Sequence, residues 1–145
     1  MKKDFTRDYA TAAFRMWASS GCPSYAEAVE KIKKRVKERG RTDSDNDTEA
    51  IEAELEKKSA ELCDIMACEE TFAVLDGNRR HISEAVRQVY MVDPLHEPKR
   101  GELSARVLKY ALDVPASEVQ VYRWLRSARE LFCVFRGLRV IDDDT

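Results

Sequence analysis

The chain contains few of the residues that interrupt helices: its 145 residues include five glycines and four prolines. Hydrophobic residues make up 43% and charged residues 36%. This composition predicts an all-α protein of one or two small domains. No apolar run approaches the roughly 18 residues that a membrane-spanning helix needs. Because Met1-Lys2-Lys3 is followed at once by charged residues, we expect no secretory signal and a cytoplasmic protein.

Histidine and cysteine are also scarce, with two and four copies. The cysteines, which have no C-x-x-C spacing and are expected to be buried free thiols, are Cys22, Cys63, Cys68 and Cys133. No Gly-rich phosphate loop or Ser/His/Asp arrangement is present, and the many carboxylates form no acid/base pattern. The sequence therefore predicts no catalytic residue, no metal and no cofactor.

The formal net charge of −2 argues at first against nucleic acid, but the charges are unevenly distributed. Between Asp43 and Asp76, twelve acidic residues stand against two lysines. From Arg79 to Ile141 the balance reverses, with twelve basic and seven acidic residues. Phosphate binding depends on the local field, which salt screens beyond roughly 10 Å. The C-terminal part is therefore the candidate for a DNA surface, with modest affinity in a single copy.

Residues 1–78 are predicted to form an N-terminal helical region for interaction or dimerisation. Pro23 ends the first helix, and Ser24 with Glu27 forms the capping box of the second. Gly40 to Asp47 is expected to be a polar loop. A long third helix, capped by Thr48 or Asp47, then runs to Gly77-Asn78. Its heptad steps indicate a coiled-coil seam in a dimer or core packing within one chain.

The second helix carries a strongly basic segment, residues 31–41, in which Glu38 is the single acid. Two interpretations stay open. The favoured one is a solvated face that is partly paired with the acidic helix that follows. The other is a second nucleic-acid surface.

Residues 79–141 are predicted to form a three-helix domain, followed by an acidic tail at 142–145. Its first helix carries apolar residues at helical spacing from Ile82 to Tyr90 and closes at Asp93-Pro94. Its second helix buries Leu103, Val107, Leu108, Ala111 and Leu112 and stops near Asp113, because Pro115 lacks an N–H and disfavours helical geometry at Val114.

Its third helix begins at Glu118, because Ser117 and Gln120 form an S-x-x-Q capping box. The predicted core face of this helix consists of Val121, Leu125, Ala128, Phe132 and Phe135. Two short helices joined by a tight turn make a helix-turn-helix, whose second helix reads DNA in the major groove.

The other face of this last helix carries the candidate DNA-binding residues. Gln120, Arg123 and Arg126 are expected to contact bases, because glutamine and arginine pair in bidentate fashion with adenine and guanine. The expected backbone contacts are Ser117, Tyr122, Arg129, Lys99 and Arg100.

The run Ile82 to Tyr90, the helix Leu103 to Leu112 and the segment from Ser117 through Tyr122-Arg123-Trp124 to Leu131 resemble ArpU-like and RinA-like regulators of prophages in Gram-positive bacteria. Those proteins resemble the fourth region of sigma factors, a helix-turn-helix that reads promoters. The resemblance covers roughly the last sixty residues and implies a phage transcription regulator with double-stranded DNA as partner. Because the modest charge of the C-terminal part gives weak affinity in a single copy, we expect a homodimer or contact with RNA polymerase to compensate.

The alternative hypothesis is a non-enzymatic helical adaptor that binds RNA polymerase or a phage packaging or assembly partner. The acidic stretch favours this second class, since it can dock on a basic partner. Steep loss of duplex affinity with salt would distinguish a DNA binder from such an adaptor.

Overall fold

A computed structural model describes residues 5–39 and 44–138, which form seven α-helices and no strand. In chain order these helices are α1 (Phe5–Ser19), α2 (Tyr25–Arg39), α3 (Ser44–Lys57), α4 (Ser59–Asn78), α5 (Arg80–Val89), α6 (Glu102–Asp113) and α7 (Glu118–Arg136). The all-α prediction is confirmed. The predicted acidic tail 142–145 and the last residues of the predicted C-terminal domain, 139–141, lie outside the described residues.

One apolar cluster is shared by α1, α4, α5, α6 and α7. Phe14 of α1 lies at its centre and makes edge-on contacts with Phe72 of α4 and Phe132 of α7, with ring centroids 5.9 and 5.4 Å apart. Val86 and Val107 are fully buried in the same cluster. The cluster thus includes residues from both sides of the predicted boundary between residues 78 and 79, and the two regions share a core.

A smaller cluster holds α2 against the rest of the molecule. It consists of Ala28 and Ile32 from α2 with Leu62 from the start of α4, and Leu55 of α3 packs on its edge. The predicted capping box of α2 is present, because the Glu27 N–H donates to Ser24 Oγ at 3.1 Å and the Ser24 N–H donates to Glu27 Oε1 at 3.4 Å. The helices α2 and α3 pack side by side as a hairpin.

The prediction of one long third helix is wrong in two respects. The helix begins at Ser44, so residues 44–47, which were expected in the polar loop, are helical; the rest of that predicted loop, 40–43, lies outside the described residues. The helix also breaks at Lys58, where φ is −101° and ψ is 17°. The break separates two packing tasks, because α3 lies against α2 while α4 enters the main core. Among the described side chains, no ion pair joins α2 to α3, so the expected partial pairing of the basic segment is not formed there.

Other expectations at the C-terminal helices need correction. The helix α5 ends at Val89, short of Asp93-Pro94, and Asp93 has a positive φ of 52°. Leu112 is 71% exposed and Phe135 38%, although both were expected in the core, and Leu108 is also exposed. Tyr110 and Cys133 are buried in their place. Leu108 and Leu112 each follow a buried residue of α6, Val107 and Ala111, and one residue corresponds to about 100° around a helix, so only one side of the predicted face reaches the core.

Three contacts hold α5 in place beside α4, α6 and α7. At the junction of α4 and α5, Arg87 donates to both carboxylate oxygens of Asp76 at 3.0 and 2.8 Å. On the other side, His81 lies edge-on against Trp124 of α7 with ring centroids 4.8 Å apart. The Tyr110 hydroxyl donates to the His81 carbonyl at 2.9 Å. The last two contacts fix α5 relative to α6 and α7.

Candidate nucleic-acid interface

An open cleft of about 470 Å³ lies where α1, α5, α6 and α7 meet. Four arginines line it: Arg7 from α1 and Arg123, Arg126 and Arg129 from α7. No aspartate or glutamate is found among the described residues of its walls. Because a concave surface with charges of one sign focuses the field, this cleft attracts anions such as phosphate groups.

The start of α7 is fixed by the capping box that the sequence predicts. The Gln120 N–H donates to Ser117 Oγ at 3.1 Å, and the Ser117 N–H donates to Gln120 Oε1 at 3.1 Å. The connection from α6 is short, since it comprises only Val114 to Ser117. Within it, the Ala116 N–H donates to the Ala111 carbonyl at 2.8 Å. The first turns of α7 are therefore held beside α6, with one side exposed to solvent.

Gln120 is the least available of the expected base-contacting residues. Its side-chain oxygen is occupied by the Ser117 N–H, and its side chain is not part of the cleft wall. Bidentate pairing with adenine needs both the oxygen and the nitrogen of the amide. While the capping box is closed, the Ser117 N–H takes one of the two acceptor positions of this oxygen, so bidentate pairing with adenine competes with the cap.

Arg123 and Arg126 are both exposed and line the cleft. Arg123 makes no ion pair with the described residues. Arg126 Nε donates to Glu130 Oε1 at 3.0 Å, with side chains 69% and 46% exposed. Exposed pairs of this kind contribute only about 0.2–1 kcal/mol. A phosphate or a guanine edge can therefore replace Glu130 at little cost.

Arg129 is positioned by a buried tyrosine. One of its terminal nitrogens donates to the Tyr90 hydroxyl at 2.6 Å. Tyr90 is 6% exposed, and its ring is stacked with that of Phe14 at a centroid distance of 6.5 Å. This contact holds the Arg129 guanidinium at the cleft, where hydrogen-bonded positioning lowers the entropy lost on binding a phosphate.

Tyr122 connects the two helices that flank the cleft. Its hydroxyl lies 3.5 Å from Ser104 Oγ, so both hydroxyls sit on the same wall as the arginines. Lys99 and Arg100 are exposed just before α6, but they are outside the cleft wall. The backbone N–H of Lys99 donates to Glu102 Oε2 at 3.0 Å, and the Lys99 ammonium group makes no ion pair with a described residue.

The structure thus brings four of the eight predicted residues into one cleft: Tyr122, Arg123, Arg126 and Arg129. It adds Arg7, Ser104 and Val119, which the sequence argument missed. For Ser104 and Val119 a signal existed, since both lie on helices already assigned to the candidate domain. For Arg7 there was none, because its place in the cleft depends on how α1 packs against α7.

The cysteines and acidic residues form no metal site in the parts of the chain described. No group of three metal-ligating side chains comes together among residues 5–39 and 44–138. Cys68 and Cys133 are buried, but Cys22 and Cys63 are exposed, which corrects the expectation that all four are buried. Burial raises the pKa of the Cys68 thiol far above its ordinary value, so this thiol stays protonated and inert.

A second cavity of about 270 Å³ lies between α1 and α4 and is mainly apolar. Two of its polar side chains, Tyr9 and Asp64, are hydrogen-bonded to each other. Asp64 accepts hydrogen bonds from the Tyr9 hydroxyl and from Arg136 Nε, both at 2.7 Å. Burial, followed by the Asp64 carboxylate, raises the pKa of Tyr9. This arrangement joins the end of α7 to α1 and α4.

The described chain is therefore an all-helical protein with an arginine-lined cleft at the start of its last helix. No helix in the described ranges is long and apolar enough to span a membrane. No protein-family model, curated protein sequence or solved structure matches the chain. The resemblance to prophage regulators consequently stays a prediction.

Proposed function

We propose that this chain is a sequence-specific DNA-binding transcription regulator of the phage or prophage type. In this proposal α5, α6 and α7 act as a sigma-factor-like helix-turn-helix domain, and α7 is the recognition helix. The observation that carries the proposal is the cleft lined by four arginines, beside the exposed first half of α7. Its field suits the DNA backbone, and arginine is the side chain that most often reads guanine.

The proposed roles follow from the availability of each side chain. Arg123 is the principal base reader, because it is exposed and has no ion pair to break within the described residues. Arg126 reads a second base after its exposed pair with Glu130 opens. Gln120 contributes through its free amide nitrogen while the capping box is closed.

The remaining residues contact the DNA backbone in this arrangement. Arg129 acts from a fixed position, since Tyr90 holds its guanidinium. Ser117 and Tyr122 contribute hydroxyls, and Lys99 and Arg100 act near the N-terminus of α6. Phosphate contacts of this kind set the register of a protein on the duplex, while the base contacts specify the sequence.

The experiment that tests this function starts with selection of bound sequences from a pool of random duplexes. Arg123→Ala is then measured on the selected site by fluorescence anisotropy. Loss of a base-reading arginine costs about 1–3 kcal/mol, or roughly a 5- to 150-fold weaker affinity. The matched control is Lys57→Ala, which removes an exposed cation at the end of α3 and should change affinity less than twofold. Equal affinities of Arg123→Ala and the parent would refute base reading by Arg123.

Salt dependence gives a second, independent measurement. The three cations assigned to the backbone, Arg129, Lys99 and Arg100, each neutralise one phosphate in this arrangement, so the plot of log affinity against log salt should have a slope of about −3. Arg129→Ala should make this slope shallower by about one unit and weaken all sequences alike. Absence of duplex binding even at low salt would exclude the DNA-binding function.

A second candidate function is a helical adaptor, and one observation favours it. Leu108 and Leu112 are exposed one turn apart on α6, and Val114 is exposed just after them. Apolar side chains that share an exposed face mark protein contacts more often than isolated ones do. Binding of purified RNA polymerase that Leu112→Lys abolishes, without any duplex binding by the parent chain, would establish this function instead.

A further inference from the structure

The arginine-lined cleft has an apolar floor that the proposed DNA contacts do not use. Val89, Val107 and Leu125 form this floor, and each is at most 1% exposed. In the proposed DNA-binding arrangement an exposed helix enters the major groove, and the duplex rests on the rim of the cleft. The space of about 470 Å³ cannot hold a duplex, but it lies within the range of small-molecule sites, about 300–1,000 Å³. The floor is therefore available to a ligand smaller than DNA.

The two ends of this cleft differ in chemical character. The cleft follows α7 from Val119 to Arg129, a distance of about 15 Å at a rise of 1.5 Å per residue. At the first end, Val119 and Tyr122 present apolar and aromatic surface and are 61% and 46% exposed. At the other end, Arg126 and Arg129 present their guanidinium groups. A ligand that fills the cleft therefore needs an apolar or ring-shaped part joined to an anionic part.

Arg129 is the side chain that is best prepared to bind the anionic part. It is half-buried, and one terminal nitrogen donates to the hydroxyl of Tyr90, which belongs to the core and is 6% exposed. The other terminal nitrogen and Nε make no hydrogen bond with the described residues. A guanidinium held in this way presents its remaining N–H groups in a fixed fork, which matches the oxygens of a phosphate.

The acidic residues near the cleft do not cancel its positive charge. Glu130 pairs with Arg126 at 3.0 Å, but its side chain is 46% exposed and is not part of the cleft wall. Glu102 lies 3.7 Å from Arg106 on the other flank of α6. Two further acids adjoin wall residues in the sequence but are outside the wall, namely Asp8 and Glu118. The described walls therefore carry a formal charge of +4, or +3 with Glu130 counted, which a diphosphate neutralises better than a single carboxylate does.

We propose that the cleft binds a nucleoside diphosphate and that this ligand competes with duplex DNA. The diphosphate lies between Arg126 and Arg129, and the base rests on the apolar floor, where the ring of Tyr122 can stack on it. Arg129 cannot contact a phosphate of DNA at the same time, so the bound nucleotide releases the duplex. Nucleotide binding itself is independent of the DNA-binding function, whereas its regulatory effect rests on that proposed function.

Isothermal titration calorimetry of the full chain tests the site without DNA. The probes are ADP and GDP, together with pyrophosphate and adenosine as the two parts of ADP. We expect at least one of the two nucleotides to bind about tenfold or more tightly than either part alone, because the arginines and the apolar floor then act on one linked molecule. Equally tight binding of pyrophosphate or of adenosine would show that one half of the cleft is not used. Absence of binding by both nucleotides at about 1 mM would exclude the site.

Three substitutions assign the two parts of the ligand to the two ends of the cleft. Arg129→Ala should weaken both the nucleotide and pyrophosphate about tenfold or more, because charge-assisted hydrogen bonds are lost. Val119→Ser should weaken the nucleotide about two- to fivefold and leave pyrophosphate unchanged. Arg79→Ala removes an exposed arginine just before α5, at the opposite end of that helix from Tyr90, and is the matched control that should change neither affinity. Circular dichroism verifies folding, and Arg126→Ala replaces Arg129→Ala if the latter is unfolded; an affinity equal to that of Arg79→Ala would overturn the proposal.

Fluorescence anisotropy with the selected duplex tests the competition. Ionic strength is held constant, because salt alone weakens DNA binding. A competing nucleotide at ten times its dissociation constant should weaken duplex binding about tenfold, and adenosine at the same concentration should not. Duplex affinity that is unchanged by a bound nucleotide would refute the competition. A chain that binds the nucleotide but no duplex would retain the ligand site and lose the DNA-binding function, whereas a chain that binds duplex but no nucleotide would do the reverse.

Discussion

The contact between Asp76 and Arg87 should account for a measurable share of the stability of the fold. Asp76 lies in the last turn of α4, and it accepts two hydrogen bonds from Arg87 and one from the Ser83 hydroxyl. Ser83 is fully buried, whereas Asp76 and Arg87 are 40% and 35% exposed. The Arg87 guanidinium also lies 4.8 Å from the centroid of the Phe72 ring. Asp76→Asn removes the charge and retains a side chain of nearly the same shape.

The expected loss follows from the geometry. Hydrogen bonds to charged groups contribute about 1.5–3 kcal/mol, and the lower end applies because both side chains are partly solvated. The asparagine retains one acceptor oxygen, so we expect about 1.5 kcal/mol. For a chain of this size, that lowers the melting temperature by about 3–6 °C.

The pH dependence has a definite sign. The hydrogen bonds from Arg87, reinforced by that from Ser83, hold the pKa of Asp76 below its ordinary value, although burial opposes them. A carboxyl group with a depressed pKa in the folded state stabilises it above the unfolded pKa of about 3.9 and loses that contribution as pH falls. The difference between the parent and Asp76→Asn should be constant from pH 7 to about pH 5 and shrink below about pH 4.

Urea unfolding monitored by circular dichroism measures these differences. Glu70→Gln is the matched control, because Glu70 is an exposed carboxylate on the same helix. The free energy of unfolding of Glu70→Gln should remain within about 0.5 kcal/mol of that of the parent. A shift for Asp76→Asn that is equally small at pH 7, or that grows below pH 4, would refute the reasoning.

Two further predictions concern the start of α7 and the cleft. Ser117→Ala removes the acceptor for the Gln120 N–H and should cost about 1 kcal/mol of stability in urea unfolding; an unchanged midpoint would mean that water replaces the cap fully. Tyr90→Phe removes the hydroxyl that holds Arg129 but leaves the charge of Arg129 in place. The affinity for duplex DNA should therefore fall about three- to tenfold. In fluorescence anisotropy, parent-like affinity of a folded Tyr90→Phe would show that Arg129 needs no positioning.

The helix starts at Ser24 and Ser117 were predictable because capping chemistry is local. The serine and its glutamate or glutamine partner are three residues apart, so the sequence alone contains both halves of the interaction. The same is true of the buried stripe of α5, where Ile82, Val86 and Val89 recur at helical spacing and are all buried.

The break at Lys58 and the exposure of Leu112 were not predictable in this way. The apolar spacing from Ile51 to Leu62 is compatible with one continuous helix and equally with two helices. Only the tertiary packing, of α3 against α2 and of α4 in the main core, distinguishes these two arrangements. Likewise, periodicity shows that Leu108 and Leu112 share a face of α6, but what that face contacts depends on the tertiary arrangement.

The cleft also changes the relative weight of the candidate base readers. In the free protein, the Gln120 side-chain oxygen accepts the Ser117 N–H, and a bidentate pair with adenine would compete with that hydrogen bond. Losing one such hydrogen bond costs about 0.5–1.5 kcal/mol, which offsets part of the 1–3 kcal/mol of discrimination that a bidentate pair provides. Arg123 has no such cost, since no ion pair with the described residues has to break. Specificity at the start of α7 should therefore depend more on Arg123 than on Gln120.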